Sequence, residues 1–311
     1  MRKKVNYIKN NIMFRTLNSA FTNPSRQAGA MALALLILLA TSCQRQESGL
    51  LNIGTHSLYF EMHGSGSPAV VIDVGLGESF SRWGPIIDSI SKITGVFVYD
   101  RAGYGRSDPG PDPRDAGTEA AELNTLLKKA GVRPPYLLAG HSLGAVNLQV
   151  FANLYPEEIS GMVLLDPPPR GWISGEGFPD LLVMFGRAAD EFRTMAVQAE
   201  QRGGEEGKRQ AAFFRTLVIE QASLFTLTAK QVMDINSFGA IPLTVIGAGV
   251  PNPQFGDSAA AFQDYWISEN RKLAGLSTHG KFVWAERSTH LIQTDAPEIV
   301  ISAIKETLGK K

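Results

Sequence analysis

Apolar positions along this chain follow two rhythms that alternate. Residues 69–74 (Ala-Val-Val-Ile-Asp-Val) and 96–100 (Val-Phe-Val-Tyr-Asp) are short, nearly continuous apolar runs. Runs of that length mark strands buried on both faces. The same signal returns at 136–139, 161–166, 241–247 and 281–285. Ahead of them, 50–54 and 56–63 alternate apolar with polar and are bounded by turn residues, which predicts two antiparallel strands. Helical spacing fills the intervals, at 83–93, about 118–129, 145–154, 258–274 and 297–308. Strands that alternate with helices imply an α/β fold, a mostly parallel sheet covered on both faces. Reactive residues then belong in loops at the carboxyl ends of the strands. Residues 167–240 break the alternation. They hold no good strand and are rich in large apolar side chains: Trp172, Phe178, Met184, Phe185, Phe192, Met195, Phe213, Phe214 and Phe225. Inserted between two sheet strands, this stretch is expected to form a helical cap over the site. About a third of those side chains would face a substrate, and the rest would pack the cap.

The chemistry concentrates where one strand meets the next helix. Tyr136-Leu137-Leu138-Ala139 runs into Gly140-His141-Ser142-Leu143-Gly144, a G-x-S-x-G sequence followed by a helical segment. Strand, sharp turn and helix with serine at the apex make this motif specific. The central residue is forced into a strained backbone, and glycines on either side permit close packing. A serine hydroxyl is a poor nucleophile at neutral pH and needs a base, itself oriented by a carboxylate.

Charge and composition narrow the setting. The chain has 311 residues, is 44% hydrophobic and carries a formal net charge of zero, which gives no sign of a nucleic-acid partner. The balance is uneven. Arg2, Lys3, Lys4, Lys9, Arg15 and Arg26 precede residue 43 with no acidic partner, so the remainder is acidic. An apolar stretch at 28–41 follows them, shorter than the roughly 20 residues of a membrane span and suited to the core of a signal peptide. Cys43, the single cysteine, stands directly after Leu39-Ala40-Thr41-Ser42. This resembles a bacterial lipobox, with Ala40 where leucine is usual. The resemblance implies an exported protein whose residues 1–43 form the signal segment and whose Cys43 is lipidated, anchoring residues 44–311 to a membrane of the cell envelope. A lone cysteine also excludes an intrachain disulfide.

From about Leu50 onward the chain resembles the α/β-hydrolase fold. The likeness rests on four motifs in order: Gly75-Leu76-Gly77, the Asp100–Asp108 segment (Asp-Arg-Ala-Gly-Tyr-Gly-Arg-Ser-Asp), the elbow at 140–144, and Ser288-Thr289-His290. The histidine-glycine pair of many relatives is replaced here by Asp73-Val74-Gly75. The resemblance implies a serine hydrolase that acylates Ser142 and needs no metal or organic cofactor. Its partners in chain order are an acid and then a histidine. Of the five histidines, His290 lies in the loop where the base belongs; His56 and His63 precede the serine, His141 is part of the elbow and His279 precedes the last strand. Asp166, at the end of the strand after the elbow, is the preferred acid, and Asp257 the alternative. The N–H groups of Leu143 and Leu76 are the expected oxyanion donors. In the Asp100–Asp108 segment, Arg101 and Asp108 are expected to pair and brace the loop, while a functional reading puts Tyr104 or Arg106 at the entrance. The implied substrate is a small-molecule ester, small or apolar. An amide, an aminopeptidase substrate or a C–C bond remains open, as does a non-catalytic binding protein of the same fold. Members that open epoxides use an aspartate nucleophile, so Ser142 argues against that chemistry.

Overall fold

A computed structural model of the chain describes residues 47–309; the expected signal segment and Cys43 lie outside the described residues. Eight strands form one sheet: β1 (Ser48–Asn52), β2 (Ser57–His63), β3 (Ala69–Asp73), β4 (Val96–Tyr99), β5 (Tyr136–His141), β6 (Ile159–Leu165), β7 (Leu243–Ala248) and β8 (Gly280–Ala285). Their order across the sheet is β1-β2-β4-β3-β5-β6-β7-β8. Strands β1 and β2 pair antiparallel, as do β2 and β4, and every later pairing is parallel.

The unbroken apolar runs are explained by two hydrophobic layers. Val71, Phe97 and Leu138 pack on one face with α2 (Ala116–Lys129), α3 (Leu143–Leu154) and α8 (Ala259–Ala274). Val70, Ile72, Val96, Val98, Leu137 and Ala139 pack on the other with α1 (Gly84–Ile90) and α10 (Pro297–Thr307). Successive side chains of a strand point to opposite faces, so a strand covered on both sides needs apolar residues at every position. Helix α2 begins two residues before its predicted start, because Asp115 accepts the N–H groups of Gly117 and Thr118 as its N-cap. Helix α1 is shorter than predicted: a 3-10 turn (Phe80–Trp83) precedes it and the helix ends at Ile90.

Between β6 and β7 the chain is helical, as its pattern predicts. It comprises α4 (Arg170–Ile173), α5 (Pro179–Arg202), α6 (Gly204–Ser223), a π-helical turn (Leu224–Thr228) and α7 (Ala229–Met233). Gly203 and Gly204 adopt φ of 67° and 68° where α5 reverses into α6, a backbone that glycine accepts without strain. Much of the aromatic content packs internally. Phe192 stacks with Phe214 (6.4 Å between centroids), and Trp172 meets Phe225 (5.3 Å) and Phe262 (5.0 Å) edge-on.

The Asp100–Asp108 segment departs from its expected bracing pair. Arg101 turns inward and is 2% exposed. It donates to Asp73 at 2.7 Å and to Glu220 of α6 at 3.0 Å, and lies 3.4 Å from Glu119. Asp108 instead accepts the backbone N–H of Ser57 at 3.0 Å. A buried guanidinium demands buried carboxylates, and three converge on it, one of them carried by the inserted helices. Burial together with the neighbouring Glu220 pushes the Glu119 carboxyl well above its ordinary value. Burial acts upward on Glu220 too, but the charge and hydrogen bonds of Arg101 outweigh it and hold that group low.

Candidate active site

Ser142 occupies the tight connection between β5 and α3 with φ 51° and ψ −119°, a region costly for any residue with a Cβ. Its N–H is held by the carbonyl of Leu165 at 2.9 Å. The flanking glycines are required by space. A Cβ on Gly140 would stand 2.8 Å from the backbone nitrogen of Ala145, and one on Gly144 would stand 2.5 Å from the Asp73 carbonyl carbon and 2.6 Å from the Val74 oxygen. The elbow is therefore pressed against the chain leaving β3, where Gly75-Leu76-Gly77 begins.

Asp166 follows β6 directly, also at positive φ (44°), and is 3% exposed. Its Oδ1 accepts the N–H of Ala248 at 3.0 Å, which leaves Oδ2 for Nδ1 of His290 at 2.7 Å. His290 sits between β8 and α9 (Ile292–Asp295), a short helix that the sequence pattern does not reveal. That loop is fixed on both sides. The carbonyl of Ser288 accepts the N–H groups of Gly249 and Val250, and Asp295 accepts the N–H of Thr289 at 2.9 Å. Burial works against protonation of the His290 ring, but the hydrogen bond and charge of Asp166, with the charge of Glu78, prevail and raise its pKa above 6.5.

Ser142, His290, Asp166, Leu76 and Leu143 all line one cavity of about 620 Å³. Asp257 does not; it is exposed on the 3-10 segment Pro253–Ser258, whose neighbours Asn252, Gln254 and Phe255 line the cavity instead. The N–H groups flanking Leu76 are committed, Gly75 to Glu78 at 3.1 Å and Gly77 to the Tyr104 hydroxyl at 3.0 Å. Tyr104 thus braces this turn from behind rather than lining an entrance. Arg106 also stays away, paired with Glu61 at 2.9 Å and lying over the Tyr59 ring.

Trp172, Met184, Phe185 and Leu224 from the helices after β6 form much of the apolar wall, with Phe255 and Trp266 beside them. Of the nine large apolar residues expected in a cap, three (Trp172, Met184 and Phe185) therefore reach the cavity. Neither lysine nor arginine lines it. Its two carboxylates are both engaged, Asp166 by His290 and Glu78 by Gly75 and His141. Among the described residues no cluster of three or more His, Cys, Asp or Glu is placed to hold a metal ion. Nothing in the sequence marks Glu78 or Gln293, and His141 stands out there only as part of the elbow. Their signal is only visible once three loops meet.

An eight-stranded, mostly parallel sheet with a serine at the β5–α3 elbow and a carboxylate-bound histidine after β8 defines a class of protein. Residues 68–190 match the α/β hydrolase fold family. The Bacillus subtilis protein YqjL is 32% identical over 241 residues, 78% of this chain and 83% of that one. The chain belongs to the α/β-hydrolase fold family. A mouse (lyso)-N-acylphosphatidylethanolamine lipase is 32% identical over 105 residues, which cover 32% of this chain and 30% of that protein. Among solved structures, an esterase from Thermogutta terrifontis superposes with a TM-score of 0.59 at 20% identity, covering 86% of this chain and 98% of that one.

Proposed function

We propose that the protein is a serine hydrolase that cleaves uncharged carboxylic esters with an apolar acyl group. The 2.7 Å contact between Asp166 Oδ2 and His290 Nδ1, in a cavity shared with Ser142, is the observation that carries this reading. An ionised carboxylate only accepts, so the contact fixes the proton on Nδ1 and leaves Nε2 as the basic atom. Nε2 takes the proton of Ser142 as its oxygen attacks the acyl carbon, and returns it to the leaving alkoxide. Water then repeats the cycle on the acyl-enzyme. The N–H of Leu143, at the first turn of α3, has no intrahelical partner and suits a developing oxyanion, with the N–H of Leu76 as the second donor.

The lining supports the substrate class. An aminopeptidase needs a free acid for the substrate ammonium, and both cavity carboxylates are engaged. A substrate bearing a carboxylate would lack a cation to pair with it. The lipase that matches part of the chain is in line with an ester-cleaving reading. Rates with p-nitrophenyl esters of increasing acyl length, a matched amide and a matched dicarboxylate monoester test it. Turnover should favour the uncharged esters and show a burst if deacylation limits. A preference for the amide or the charged ester would refute the assignment.

A further inference from the structure

The proposed chemistry needs three loops in one register: the turn after β3 with Leu76, the elbow with Ser142, and the loop after β8 with His290. One buried polar cluster touches all three. His141 is 1% exposed, and its two ring nitrogens face acceptors on different loops. Nε2 lies 2.8 Å from the carbonyl of His290, and Nδ1 lies 3.0 Å from Oε2 of Glu78. The same Glu78 oxygen accepts the N–H of Gly75 at 3.1 Å and the amide of Gln293 at 3.2 Å. Gln293 is fully buried on α9.

A neutral imidazole offers one N–H and one lone pair. The contact with the His290 carbonyl requires the N–H on Nε2, and Nδ1 meets Glu78 at 3.0 Å and the Gln293 amide at 3.2 Å. The result is a buried hydrogen-bonded cluster that joins two loops, with the second ring nitrogen of His141 gripping a third. Neither Glu78 nor His141 has a part in the proposed bond-making steps.

We propose that Glu78, acting through His141, is a positioning residue that locks the backbone of His290 and the turn bearing Leu76 to the elbow bearing Ser142. The inference rests on the serine-hydrolase reading above. The charged or titratable groups around His290 are Asp166 on its Nδ1, and His141 with Glu78 behind its backbone.

The test compares Glu78→Ala, Glu78→Gln, His141→Ala and the Glu78→Ala/His141→Ala double variant on one ester, with thermal melting to verify folding. A misplacement of about 1 Å can cost about 100-fold, so each Ala variant should lose about 10- to 100-fold in kcat with KM within about threefold. The double variant should lose clearly less than the product of the two single losses, since the two share one contact, while Glu78 also holds Gly75 and Gln293 itself. Should Glu78→Ala fail to fold, Glu78→Gln keeps the shape and carries the test. It removes a negative charge that favours protonated His290, so the acid limb of kcat/KM should move to lower pH while kcat falls. Wild-type kcat and an unmoved limb in folded Glu78→Gln would overturn the proposal, and so would additive losses in the double variant. Fluorophosphonate labelling of the wild type separates the two failures. Without an adduct on Ser142 the hydrolase reading falls and takes this proposal with it; with one, only the positioning role is at stake.

Discussion

Replacing Asp166 by asparagine changes one atom and one charge, and the hydrogen bonds around that carboxylate determine the outcome. Asp166 Oδ1 accepts the N–H of Ala248, so the amide oxygen of asparagine must take that place. Its NH₂ then faces Nδ1 of His290, where a donor can be met only by a lone pair. The ring proton is forced onto Nε2, the atom required as base. Holding the wrong tautomer costs on the order of 10⁴ in kcat, about 5.5 kcal/mol of transition-state stabilisation. The variant should also shift its pH dependence. The hydrogen bond and charge of Asp166 raise the His290 pKa over that of an ordinary imidazole, and the base works only when neutral, so the acid limb of wild-type kcat/KM should be shifted to higher pH in the same direction. Loss of Asp166 moves that limb to lower pH. Steady-state kinetics across pH on one chromogenic ester, with circular dichroism as a check of folding, reads both effects. Asp257→Asn, at an exposed position away from the cavity, serves as the comparison. If Asp166→Asn stays within about tenfold of wild type while Asp257→Asn is crippled, the reasoning fails.

Other perturbations probe other parts of the account. Gly144→Ala places a Cβ 2.5 Å from the Asp73 carbonyl carbon and must displace the turn bearing Leu76; kcat should fall about 100-fold in a protein that still folds, and unchanged kcat would contradict the packing argument. Arg101→Ala leaves Asp73 and Glu220 without their buried cation, while Glu119 keeps Arg114 at 3.5 Å; it should cost about 3–5 kcal/mol in denaturant unfolding, and a loss under about 1 kcal/mol would be inconsistent with the ion-pair cluster. Phe185→Ala enlarges the apolar wall and should move the ester preference toward longer acyl chains, measured as kcat/KM along a chain-length series; an unmoved optimum would mean the acyl group lies elsewhere.

Much of this fold was legible because burial on two faces leaves a simple trace. A strand such as Val96–Tyr99 must be apolar throughout, and nothing else explains so short a run between helices. The elbow was legible for a related reason: Gly140 and Gly144 mark where backbone meets backbone, and Ser142 stands between them in the backbone strain the motif requires. Asp166 was open against Asp257 because chain order allows either, and only packing brings one of them to His290. Arg101 misled. Asp108 lies near it in sequence, yet its partners Asp73, Glu119 and Glu220 come from three distant segments, and a long-range buried cluster leaves no periodic signal. Glu78, His141 and Gln293 were obscure for the same reason, since each looks ordinary until the loops after β3, β5 and β8 converge.

Covalent labelling asks whether Ser142 is the nucleophile. The purified protein is treated with a fluorophosphonate, digested and mapped by mass spectrometry, beside Ser142→Ala. One adduct is expected, on the peptide containing Ser142, with none in the variant and no ester turnover by it. An adduct on a different residue, or turnover by Ser142→Ala at the wild-type rate, would contradict the claim.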